Sequence, residues 1–102
     1  MQRQILVVED EKPILDILQF NLEKEGYKVV TAMDGETAVK TALAVNPDLV
    51  LLDVMLPKLD GFEVCKNIRS WSQMPIIMLT LLREKRQPFA LPRQTTRSNI
   101  TR

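Results

Sequence analysis

A chain of 102 residues with 45% hydrophobic and 26% charged side chains and a formal net charge of +1 can bury a core without covalent staples and reads as one ordinary soluble domain. The absence of histidine and the single cysteine, Cys65, exclude an internal disulfide and a zinc centre. Charge is divided unevenly: residues 1–80 carry 8 basic and 12 acidic groups, whereas residues 81–102 carry 6 basic and one acidic, which predicts a packed acidic part, 1–80, and a divergent basic tail, 81–102.

Ile5-Leu6-Val7-Val8 is a short apolar run that ends directly in Glu9-Asp10-Glu11, so it reads as a buried strand with carboxylates at its carboxyl end. Pro13 suits the first turn of a helix, and Ile14, Leu15, Leu18 and Leu22 recur at helical spacing until Glu25-Gly26, where glycine can adopt the left-handed terminating conformation. A second strand is predicted over 27–32. Asp34 can cap the next helix, whose apolar stripe is Ala38, Val39, Ala42 and Leu43, and Asn46-Pro47-Asp48 stops it. Leu49-Val50-Leu51-Leu52 then runs straight into Asp53 as a third strand. After Asp60-Gly61 a third helix is expected to turn Phe62, Val64, Cys65 and Ile68 inward, with Cys65 a small packing residue and Trp71 partly buried beyond it. Pro75-Ile76-Ile77-Met78-Leu79-Thr80 gives a fourth strand.

Strands alternating with helices of this size predict an α/β fold, a doubly wound parallel sheet with helices on both faces. In such sheets the ligand crevice lies outside the carboxyl ends of the strands. Glu9, Asp10, Asp53 and Thr80 all fall at such ends, so the fold would bring three carboxylates and one hydroxyl to one edge. Helix capping ahead of Pro13 is the other role open to Glu9 and Asp10. Three clustered carboxylates repel one another, at about 4 kcal/mol for a pair 4 Å apart at an effective dielectric near 20. Protonation of one acid or a divalent cation can offset this. An oxygen-only site open to water suits Mg2+. A carboxylate nucleophile beside Mg2+ points to phosphoryl chemistry through an aspartyl phosphate, with Thr80 able to hydrogen-bond a phosphoryl oxygen.

Three motifs in this order, Ile5-Leu6-Val7-Val8-Glu9-Asp10-Glu11, Leu51-Leu52-Asp53-Val54-Met55-Leu56-Pro57 with Asp60-Gly61, and Pro75-Ile76-Ile77-Met78-Leu79-Thr80, resemble the receiver domain of bacterial two-component response regulators. The wording is most similar to the subfamily whose full-length members carry a winged-helix DNA-binding domain and regulate transcription. The resemblance implies a flavodoxin-like receiver with Asp53 as phosphoacceptor and Mg2+ as cofactor. Its ligands would be Glu9, Asp10, Asp53 and the backbone carbonyl of Met55, with Thr80 as the switch hydroxyl. It also implies a sensor histidine kinase as phosphoryl donor.

After Thr80 the pattern departs from the family. Leu81 stands where a small residue is usual, residues 81–102 contain no Lys-Pro pair, and Lys85 is the only lysine there, so no catalytic lysine is assigned. The expectation is a receiver incomplete at its C-terminal end, with phosphorylation of Asp53 impaired and the fourth strand left uncovered at the sheet edge. The alternative is a non-phosphorylatable receiver-like fragment acting as an interaction or decoy protein. An enzyme is not expected, since an aspartyl-phosphate hydrolase would want an acid where Met55 stands. DNA binding is expected only through a separate domain absent from this chain, and the dimer face of the family is not carried over. No apolar run reaches the length of a membrane span, and the amino terminus lacks the basic-then-apolar pattern of a leader. A cytoplasmic location with no membrane association is therefore expected.

Overall fold

Among the described residues seven elements alternate: β1 (Gln4–Val8), α1 (Lys12–Lys24), β2 (Lys28–Ala32), α2 (Gly35–Val45), β3 (Leu49–Asp53), α3 (Gly61–Arg69) and β4 (Ile76–Leu79). The structure is a computed structural model and describes residues 2–56 and 59–79. Among these residues no helix is long and apolar enough to cross a membrane.

The four strands form one parallel sheet in the order β2-β1-β3-β4, so the predicted doubly wound parallel sheet is what the chain builds. Because strand side chains alternate faces, β1 feeds two separate cores. Leu6 and Val8 pack with Val50 and Leu52 of β3 against Ala38 and Ala42 of α2 and Val64 and Ile68 of α3. Ile5 and Val7 pack on the other face with Leu15 of α1, flanked by Leu18, Leu22, Leu49 and Leu51. One helix covers one face and two cover the other, as right-handed crossovers require when the strand order reverses about β1.

Helix boundaries follow the local chemistry. Asp34 caps α2, its Oδ1 accepting from the Thr37 amide at 2.8 Å, and Asp60 caps α3 by accepting from the Glu63 amide at 3.0 Å. Gly26 takes φ +100° after α1, and Asn46 ends α2 with φ 48°. The N-cap of α1 is Glu11 rather than Glu9 or Asp10, and it makes no side-chain cap bond.

Two expected core residues point elsewhere. Phe62 is 63% exposed and Leu43 59% exposed. At about 100° per residue, Gly61, Val64, Cys65 and Ile68 share one face of α3, and Phe62 falls roughly 100° from Gly61 at its margin. Leu43 lies about 80° from Gly35 on α2 by the same geometry. Cys65 is half-buried against the core as expected, and Trp71 lies at the surface with its Nε1 donating to Asn67 Oδ1 at 3.0 Å. β4 is the edge strand among the described residues, and the expected uncovered edge and basic tail after it lie outside them.

Candidate functional site

β1 and β3 are neighbours in register, Val8 opposite Leu52, so Glu9, which follows β1, and Asp53, the last residue of β3, come side by side at the sheet's carboxyl edge. This is where the strand order reverses, the place at which a parallel sheet opens a crevice. Both carboxylates are nearly sealed from solvent, Glu9 at 1% and Asp53 at 2% exposure. Asp10, the next residue along, is half-buried. One carboxylate oxygen from each of Glu9, Asp10 and Asp53 lies within 4.8 Å of the other two.

The backbone holds this arrangement from both sides. The Glu9 amide donates to the Ala32 carbonyl of β2 at 3.0 Å, and the Val54 amide donates to the Leu79 carbonyl of β4 at 3.0 Å. Each buried acid also receives a backbone amide from two residues further on: Glu11 N to Glu9 Oε2 at 2.8 Å, and Met55 N to Asp53 Oδ1 at 3.1 Å. A backbone donor to an ionised carboxylate favours its charged form and fixes its rotamer. Burying carboxylates together is nonetheless costly unless other groups compensate. A donor set of hard oxygens at this spacing, open on the Asp10 side, can gather on a divalent cation. It offers neither nitrogen nor sulfur to a softer one.

The tertiary structure thus brings together Glu9, Asp10 and Asp53, three of the residues singled out from sequence. It places Met55 beside Asp53 through its amide, with its side chain exposed. Thr80 lies outside the described residues, as do Lys85 and the rest of 81–102. What the sequence reading did not identify is the role of the two amides, Glu11 and Met55, that fix the buried acids. Their signal is a tight turn immediately after each strand, which residue identity alone does not specify.

Comparisons with known proteins agree on one group. The family described as response regulator receiver domain matches residues 5–91. Among solved structures, the N-terminal domain of a response regulator receiver protein from Methanoculleus marisnigri JR1 is 36% identical, with a TM-score of 0.75 over 87% of this chain and 77% of that one. The BeF3-activated N-terminal receiver domain of Klebsiella pneumoniae RstA is 34% identical, with a TM-score of 0.74 over 84% and 74%. The Vibrio cholerae chemotaxis protein CheY4 is 34% identical, with a TM-score of 0.74 over 85% and 77%. This chain spans between 58% and 77% of eight similar solved chains.

Proposed function

The chain belongs to the response regulator receiver domain family, and on that premise we propose that it is a phosphoaccepting module of two-component signal transduction, taking a phosphoryl group onto Asp53 from a histidine kinase. The observation that carries this reading is the buried Asp53 at the carboxyl end of β3, with oxygens of Glu9 and Asp10 within 4.8 Å. In the transfer, a carboxylate oxygen of Asp53 attacks phosphorus while the P–N bond to the donor imidazole breaks. The imidazole keeps the electron pair and takes a proton from solvent, and an acyl phosphate forms.

Glu9, Asp10, Asp53 and the Met55 carbonyl are the groups that would hold Mg2+. When bound, the cation neutralises charge on the incoming phosphoryl group, so that an anion can approach another anion. The chain's own part is geometric. The Met55 amide orients the Asp53 carboxylate from one oxygen, and the strand pair seats Glu9 behind it. Thr80, the next residue in sequence after Leu79, is the proposed switch hydroxyl that would read the phosphorylated state. The motif wording supports the winged-helix subfamily, with transcriptional output through a separate domain. In this reading the chain accepts a group and is not itself an enzyme.

Incubation with acetyl phosphate tests this directly: intact mass should show a single phosphoryl adduct that forms with Mg2+ and not with EDTA. No adduct in a folded sample would sink the reading and leave an interaction or decoy module. Asp10→Asn probes the cation side separately. Removing one unit of charge from a close carboxylate is worth about 2 kcal/mol or more in a partly wet site. Mg2+ affinity, followed by titration at the Met55 amide resonance, should therefore fall by roughly 30-fold. Unchanged affinity would remove Asp10 from the ligand set.

A further inference from the structure

We propose that Gly35, the first residue of α2, is a positioning residue for the loop that carries the Asp53 site; this rests on the phosphoacceptor reading above. Gly35 belongs to an element that supplies none of the carboxylates. Its backbone does not need glycine's freedom, since it is not among the residues with positive φ. Space is what explains it. A Cβ added at Gly35 would overlap the carbonyl oxygen of Leu59 and lie 2.6 Å from Leu59 Cβ and 2.7 Å from the Leu59 carbonyl carbon.

Leu59 belongs to the connection from Asp53 to α3, and two of the three obstructing atoms are backbone, so no side-chain rotation relieves the overlap. Either α2 or the loop must move. The start of α2 is held by the Asp34 cap, and its Ala38 and Ala42 are fully buried against the sheet, so displacement falls on the loop. The loop has little slack at its α3 end: the Gly61 amide donates to the Val54 carbonyl at 2.9 Å, with the Gly61 Cα close enough to Val54 that a Cβ there would lie 2.6 Å from Val54 Cα. A shift imposed at Leu59 is therefore passed through Asp60 and Gly61 to Val54, whose carbonyl the Gly61 amide holds, and to the Asp53 carbonyl oxygen, 2.7 Å from where a Gly61 Cβ would lie. There the Met55 amide holds Asp53 Oδ1, and the Met55 carbonyl is a proposed cation ligand. Gly35 thus sets the depth at which Leu59 rests, and through Gly61 and Val54 the aim of the Asp53 carboxylate.

Gly35→Ala is compared with Gly26→Ala. At Gly26 an added Cβ meets nothing within 4 Å, but φ is +100°, so alanine there destabilises the chain by strain, by about 1 kcal/mol, without touching the site. Mg2+ affinity is measured by titration at the Met55 amide, at a temperature where urea curves show each variant folded. The rate of adduct formation from acetyl phosphate is the second readout. Gly35→Ala should bind Mg2+ about tenfold more weakly and acquire the adduct more slowly, the scale of changes made behind a metal ligand, while Gly26→Ala behaves as wild type. Should Gly35→Ala fail to fold, Leu59→Gly removes the Cβ that rests on Gly35 without adding bulk and should weaken Mg2+ several-fold. Wild-type affinity in whichever of the two folds, or equal losses in Gly26→Ala, would overturn the inference. A wild-type chain that binds no Mg2+ would instead overturn the site reading from which it starts, so the two failures are distinguishable.

Discussion

Asp53→Asn should abolish the phosphoryl adduct while leaving the fold intact. An amide oxygen is nearly isosteric with the carboxylate oxygen it replaces and can still accept from the Met55 amide, which lies 3.1 Å from Asp53 Oδ1. It carries no charge and is a far weaker nucleophile, so the transfer rate should fall on the order of 10⁴-fold or more, the scale of removing a nucleophile. The substitution also removes one of three carboxyl groups whose oxygens lie within 4.8 Å of one another. Wherever two of them are ionised together they repel by about 3–4 kcal/mol at an effective dielectric near 20, before screening by solvent and neighbouring groups. The urea midpoint without Mg2+ should therefore stay level or rise. Intact mass after acetyl phosphate, read beside the urea curve, checks both parts. A persistent Mg2+-dependent adduct in the variant would move the phosphoacceptor to another residue, and a large drop in midpoint would show that Asp53 is principally structural.

Leu52→Ala should cost the most stability of any single truncation near the site. Leu52 is fully buried, in the core that joins β1 and β3 to α2 and α3. A leucine removed from such a position costs about 3–5 kcal/mol, combining lost burial with the cavity left behind. A domain of this size has only about 5–15 kcal/mol in total, so the urea midpoint should drop by roughly a fifth or more. Leu43→Ala makes the comparison. That side chain is 59% exposed on α2, and its loss should change stability by no more than about 0.5 kcal/mol. Similar losses at both positions would mean that the two-core description of the sheet is wrong.

The contrast between Leu52 and Leu43 shows where the sequence is readable. Leu52 lies in an unbroken apolar run of strand length, and such a run is buried on both faces of a parallel sheet whatever its neighbours. Leu43 is the last member of an apolar stripe on a helix. Whether the margin of a stripe is covered depends on how the helix is rolled against the sheet, which spacing does not report. Phe62 failed as an expected core residue for the same reason, while Val64 and Ile68, nearer the centre of the same face, are fully buried.

The site divides along the same line. The sequence by itself determined that carboxylates stand at the ends of two of the strands, that one helix is capped by Asp34 and another follows Asp60-Gly61, and that the elements alternate as a parallel sheet requires, because strand ends, caps and periodicity are local properties of a chain. Only the tertiary structure decided that β1 lies between β2 and β3, which sets Glu9 beside Asp53 and seals both from water. It likewise decided that Gly35 meets the backbone of Leu59. These contacts join segments far apart in the chain, and they depend on strand order and on how closely a helix approaches a loop, neither of which is encoded in any one segment.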